Sequence, residues 1–441
     1  MTDAADLDPP TSRLGLLQRG RGAGCWRAQQ DGAAAHDDLL RCVLADPRFD
    51  AELEARERYF AELAVPLALP IEPLVSHLRQ GPPGQLGHGV LAGMWRLGHA
   101  GTRDLLAAAD TEAALVAGVV QVLWAQGWAT AVQLAPRAAT LWLRCAREHA
   151  DCTVAQLRVP RPTELAGLAT DQLLDLARDP RDQRRDRLLG ELCQRGDEAT
   201  RARLLATLTD DIVYDRVRLA ARALGLLDDE RPLPLAEALF AREDVFAEPA
   251  RRLPAAERMR RTCLADYVLH LPAARSLPLA RRWRGRGGFF EVVAGGVFRD
   301  HATAADRDRL EAFVAEHQAR DGGYHVIDEL DALARLGDAR SVQLLVEVAH
   351  TAAYSQARRR AVAALAVLPE HPAAQAVLRE ALWDCEDETA AAACSFLPAL
   401  DGLARDRVAV LSGMPLAAAE LRERAARRLR RPGRGQDVAG G

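Results

Sequence analysis

The chain has 441 residues, of which 49% are hydrophobic, 27% charged and 5% aromatic, with a formal net charge of −4. That length suits two or three compact domains or one elongated array, and the composition excludes a collagen-like, disulfide-framework or wholly disordered chain. All 58 basic residues are arginine, so no lysine exists for Schiff-base chemistry or a Walker loop, and the near-cancelling charge advertises neither nucleic acid nor an acidic membrane surface.

Met1 to Pro10 carries Asp3, Asp6 and Asp8 and no apolar core, unlike a signal peptide. Gly20-Arg21-Gly22-Ala23-Gly24 could form an anion-binding nest, but no strand precedes it as a dinucleotide fingerprint requires. Cys25, between Gly24 and Trp26, is a lone thiol without an assigned partner. His36-Asp37-Asp38 matches a fragment of a two-metal phosphohydrolase site, yet it reads better as acidic residues opening a helix. Asp46 to Asp50 reads as a turn and Ala51 to Leu63 as a charged amphipathic helix. Residues 1–80 are expected to form an N-terminal helical cap, and Gly81-Pro82-Pro83-Gly84 a loop. Ala113 to Ala125, interrupted by Gln121, is too short to span a bilayer and reads as a buried helix. Pro415 to Arg431 reads as one last Arg-rich helix, followed by a Gly-rich, disordered tail from Pro432 to Gly441. The expected location is the cytoplasm of a bacterium, with no membrane association.

Self-similarity is the informative feature. The segment Ala332-Leu333-Ala334-Arg335-Leu336-Gly337-Asp338 recurs at Ala364 to Glu370, Ala223 to Asp229, Glu191 to Asp197, Gly93 to His99 and Val122 to Trp128, with a degenerate copy from Cys394. Ala332 and Ala364 are 32 residues apart, as are Glu191 and Ala223, while Gly93 and Val122 are 29 apart. An apolar pair ends one helix, a glycine or turn former breaks it, and an acidic residue opens the next at its positive end. After the turn, Val342, Leu345, Val346 and Ala349, and again Ala374, Val377, Leu378 and Ala381, fall on one helical face. One such pair cannot bury both faces, so neighbours must stack.

This pattern resembles the HEAT family of helical repeats, in particular the short variety of the phycobilisome-lyase type. The matching residues are those quoted, with Val217-Arg218, Ala220-Ala221 and Ala223-Leu224-Gly225. The resemblance covers 93–140, 185–240 and 326–383. It implies an all-α, right-handed solenoid of HEAT-like helix pairs used as a binding surface, and does not imply lyase activity. The expected organisation is a cap (1–80), a solenoid (81–413, irregular at 140–180 and 241–320), an Arg-rich helix (414–431) and a disordered tail (432–441).

The most unusual stretch is Arg251 to Arg286. It holds ten arginines (Arg251, Arg252, Arg258, Arg260, Arg261, Arg275, Arg281, Arg282, Arg284 and Arg286) against Glu257 and Asp266. Tyr267 and Trp283 interleave, with Phe289 and Phe290 just beyond. Arginines among stacking rings suit phosphate backbones and unstacked bases; the plainer reading is a solvated face paired with acids on adjacent helices. Four of the seven tryptophans lie between Trp95 and Trp142, at Trp95, Trp124, Trp128 and Trp142. HEAT-like repeats also build alkylpurine DNA glycosylases, which cradle a damaged nucleotide against tryptophan. However, Trp95 and Trp124 occupy a motif position held elsewhere by Cys193, Gly225, Ala334 and Ala366, an inward position expected to be core. Cys145, His149 and Cys152 share one helical face and could contact zinc, but a fourth ligand is missing. The resulting expectation is a non-enzymatic scaffold binding a partner protein, without metal or cofactor. The alternative is a nucleic-acid-binding solenoid related to those glycosylases, and the two are separated by where the arginines point.

Overall fold

A computed structural model describes residues 7–80, 86–107, 119, 165–177, 185–242 and 253–430. Among these residues there is helix and loop and no strand. The first stretch holds α1 (Arg13–Gln18), α2 (Gly22–Asp31), α3 (His36–Leu44), α4 (Glu57–Ala64), α5 (Glu72–Gln80), α6 (Leu86–Arg96) and α7 (Ala100–Ala107). Then come α8 (Thr170–Leu176), α9 (Arg185–Arg195), α10 (Glu198–Asp210), α11 (Tyr214–Leu226), α12 (Leu233–Phe240), α13 (Ala255–Leu269), α14 (Ala273–Trp283) and α15 (Phe289–His301). The last stretch is α16 (Arg307–Asp321), α17 (Ile327–Leu336), α18 (Val342–Thr351), α19 (Ser355–Ala366), α20 (Pro372–Ala381), α21 (Asp387–Phe396), α22 (Gly402–Gly413) and α23 (Ala419–Arg430). No helix among the described residues is long and apolar enough to cross a membrane.

The chain divides into two compact units. One joins residues 1–153 with 308–441; the other is residues 154–307. In both, many helices pack on the next helix but one, and some on their successor. In the second unit α9, α11, α13 and α15 touch in series, with α10, α12 and α14 each against a member of that series. In the first unit α17, α19, α21 and α23 form such a series, and α18 contacts α20. Alternate helices therefore contact one another along these series.

The repeated turn is built as its residues dictate. At Leu336 the helix ends, Gly337 takes a left-handed φ of 59°, and Asp338 accepts the N–H of Arg340 at 2.9 Å to open the next helical turn. Gly196 and Asp197 do the same between α9 and α10, with Asp197 accepting from Thr200. The copy after α11 has no glycine at that point: Asp228 itself adopts a φ of 53°, and Asp229 accepts from Arg231. In the copy after α19, His371 rather than Glu370 caps the following helix. Ala374, Val377, Leu378 and Ala381 are all buried, as are Val342, Leu345 and Ala349, while Val346 is half-buried.

Two expectations change. The helix expected from Ala51 starts only at Glu57, because the Glu54 carboxylate turns back to accept the N–H groups of Phe49 and Asp50 and holds 50–56 as a loop. Residues 1–80, expected as a cap, make contacts far along the chain. Helix α2 packs on α20, and hydrogen bonds join residues 19–58 to residues 350–386. Trp95, expected in the core, is half-buried, like Cys193 and Ala334 at the same motif position; Gly225 and Ala366 there are buried. Trp124, Trp128, Trp142, the Ala113–Ala125 segment apart from the buried, helical Val119, the 81–84 loop and the 432–441 tail lie outside the described residues.

Candidate functional site

Arg275, Arg281, Arg282 and Arg284 of the Arg-rich stretch pair with carboxylates of the same chain. Arg281 grips Asp306 with two nitrogens, at 2.7 and 2.8 Å, and Arg282 reaches Glu237 at 2.5 Å. Arg284 meets Glu291 at 3.0 Å, and Arg275 bridges to Asp228 and Glu230. Arg258 and Arg260 bond the carbonyls of Leu253 and Asp211. Arg261 is buried, 4.4 Å from the Phe289 ring centre, and Arg286 lies 3.8 Å from that of Phe290. Against the cost of burial, Arg281 and Thr303 hold the Asp306 carboxyl down at about 2.

The two rings proposed for stacking are unavailable to a base. Tyr267 and Trp283 are both 0% exposed. The Tyr267 hydroxyl donates to the carbonyl of Asp229 at 2.7 Å, and the Trp283 indole donates to Glu237 at 3.1 Å while its ring packs on Phe240 and Phe290. They belong to the core because each has a satisfied polar tip and an apolar surround. Arg251 and Arg252, and the metal candidates Cys145, His149 and Cys152, lie outside the described residues. Among the described residues no cluster of three His, Cys, Asp or Glu is placed to hold a metal.

The N-terminal glycine-rich turn does receive an anion, but one from its own chain. Arg21 grips both Glu380 oxygens at 2.9 Å, and the first turn of α2 adds the Ala23 N–H at 3.2 Å. His36 reaches the Leu67 carbonyl at 2.7 Å and Asp38 takes Arg13 at 2.7 Å, so these two have structural partners. Burial pushes the Cys25 thiol up to about 12, which removes it as a nucleophile at neutral pH.

Sequence reasoning missed the buried ionic centre of the first unit. Arg358, 2% exposed, holds Asp384 with two nitrogens at 2.7 and 3.1 Å and touches the Cys385 sulfur at 3.2 Å. Arg56, 0% exposed, pairs with Glu54 at 3.0 Å. Glu62 lies between Arg58 at 2.6 Å and Arg407 at 2.8 Å. Ser355 ties two acids together: its N–H donates to Glu54 at 2.8 Å and its hydroxyl to Glu386 at 2.7 Å. Burial opposes the charge on Glu54, but Arg56 and the donors of Asp50 and Ser355 prevail and hold its pKa below the ordinary value. Burial prevails at Glu386, whose pKa is raised with Asp384 adding to the shift. Arg19 differs from its neighbours. It is 6% exposed, yet its hydrogen bonds go only to the carbonyls of Thr351, Asp8 and Gly15.

Comparison of the chain with protein-family models, with curated proteins and with solved structures finds no match.

Proposed function

We propose that the chain is a non-enzymatic scaffold of HEAT-like helix pairs, stacked as a right-handed solenoid, that holds a partner protein in the bacterial cytoplasm. The supporting observation is the fate of the Arg-rich stretch. Phosphate binding draws its energy from arginines whose charge awaits a counter-ion. Here Arg275, Arg281, Arg282 and Arg284 already have carboxylates of the same chain, and Tyr267 and Trp283 are enclosed. Exposed apolar side chains such as Phe396, Leu403 and Val410 suit a protein partner better than a polyanion.

The test is binding of the purified protein to short single- and double-stranded DNA and RNA across a salt series, beside the Arg281→Ala, Arg282→Ala, Arg284→Ala triple variant. The expected result is no association at low salt, where electrostatics is strongest. Salt-sensitive binding lost in the triple variant would replace the scaffold reading with a nucleic-acid one.

A further inference from the structure

An open groove of about 1110 Å³ runs beside Arg19 in the first unit. Pro10 and Arg19 line one part of it. Ala315, Gln318, Ala319 and Arg320 of α16 line another, with Glu347 and Thr351 of α18. Gly322 and Ala353 also line it, together with Leu344 and Val348.

Arg19 makes this groove more than a surface dent. Its Nε donates to the Thr351 carbonyl at 3.2 Å, and its Nη1 to the carbonyls of Asp8 and Gly15 at 2.8 and 2.9 Å. Nη2 has no acceptor among the described residues. Carbonyls satisfy donors without cancelling a charge, and every other arginine of the buried ionic centre has a carboxylate. Burial, with Arg358, Arg21 and Arg56 nearby, outweighs the attraction of the Asp8 carboxylate and brings the Arg19 pKa down to about 10, and Arg19 forms no ion pair among the described residues.

We propose that this groove binds an extended segment of a partner protein through a single carboxylate, which docks on Arg19 Nη2. The inference rests on the scaffold reading and names the chemistry of the partner. A carboxylate fits better than a phosphate dianion because Glu347 shares the groove and Glu316 sits 3.6 Å from Arg320. Two basic groups against those two acids leave little field for a double negative charge. Nε and Nη1 are already engaged, so the carboxylate is held from the Nη2 side, and Glu347 is placed to take a basic residue of the same segment.

The probes are the acetylated, amidated peptide Ala-Ala-Glu-Ala-Arg, its Gln analogue, a penta-alanine with a free C-terminal carboxylate, and inorganic phosphate. Each is followed by saturation-transfer NMR on the full chain. Binding is expected for the Glu peptide or the free carboxylate, and the difference between those two assigns a side-chain or a terminal source. The Gln peptide should bind roughly tenfold more weakly, the worth of one charge-assisted hydrogen bond. Arg19→Gln should remove the preference. Because that change touches a buried network, Ala319→Trp serves as a second variant: Ala319 is exposed and lines the groove, so the indole blocks it without disturbing the core. Equal binding of the Glu and Gln peptides without binding of the free carboxylate, binding of phosphate in preference to every peptide, no binding of any probe, or indifference to Ala319→Trp would each overturn the proposal. Partner capture that survives Ala319→Trp would sink the groove and leave the scaffold reading standing. Nucleic-acid binding in the salt series would sink the scaffold reading and leave carboxylate binding to be judged on the peptides.

Discussion

Glu54 and Glu386 lie on either side of Ser355, and burial has opposite outcomes for them. The Glu54 pKa is lowered from 4.5, so its contribution to stability is full above that value and is lost as pH falls through its folded pKa. The Glu386 pKa is raised from 4.5, so its contribution is full below that value and is lost as pH rises through its folded pKa. At neutral pH Glu54 therefore stabilises, and an ionised Glu386 costs. Glu54→Gln should lower stability by about 3–5 kcal/mol, because it leaves Arg56 buried without its carboxylate and turns an amide toward the N–H groups of Phe49 or Asp50. Glu386→Gln keeps an oxygen for Ser355 and should leave the neutral-pH melting temperature unchanged or higher, with the gain vanishing in acid. Denaturation of both variants across a pH series checks the signs; a Glu386→Gln protein that melts lower at neutral pH would reverse the assignment. The thiols give a second residue-scale expectation. Burial raises Cys25, Cys42 and Cys263 to about 12 and Cys394 to about 11, and Cys385 well above its usual range, whereas Cys193 is half-buried. Brief native alkylation followed by mass spectrometry should modify Cys193 well ahead of those five.

Among the elements, what depends on neighbouring residues was legible and what depends on distant ones was not. The breaks at Gly337-Asp338 and Gly196-Asp197 follow from local chemistry, and so does the buried face of Ala374, Val377, Leu378 and Ala381. The loop at 50–56 escaped notice because Glu54 and Arg56 look like ordinary helix charges until Ser355, some 300 positions later, arrives beside them. The acidic partners of the candidate patch were out of sight for the same reason. Counting charges from Arg251 to Arg286 omits Asp228, Glu230, Glu237, Glu291 and Asp306, which lie beyond the window and meet its arginines in space. Asp384, Glu386 and Asp387 look like the opening acids of a helix, and only packing shows two of them buried. Gly225 had a readable role as a small motif residue, and the structure supplies the cause: a Cβ there would stand 2.4 Å from the Tyr267 carbonyl oxygen, where α11 crosses α13. Gly225→Ala should push those helices apart and cost about 1–3 kcal/mol in denaturant unfolding, despite alanine's better helix propensity. A neutral or stabilising outcome would show that the two helices yield easily.

At the scale of the whole molecule, the consequential fact is that the chain's first helices complete its last ones. In a simple repeat array each unit touches only its neighbours, and removing a terminal segment weakens mainly what adjoins it in sequence. Here Arg21 holds Glu380, Arg58 reaches the carbonyls of Asp384 and Cys385, and the Cys385 N–H bonds the Gly20 carbonyl. Removing residues 1–64 would strip partners from Glu380, Glu386 and Arg407 together and uncover α20 and the Trp383 ring that follows it. Hydrogen exchange of that truncation should show protection lost across α18 to α22, far from the cut in sequence. Helices α9 to α15, which form a separate unit, should keep theirs. Loss confined to α5, α6 and α7 would instead be the signature of a terminal cap. The pattern of loss therefore distinguishes an array open at both ends from one whose N-terminal segment is built into its C-terminal half, and the buried pairing of Glu54 with Arg56 beside Ser355 favours the second.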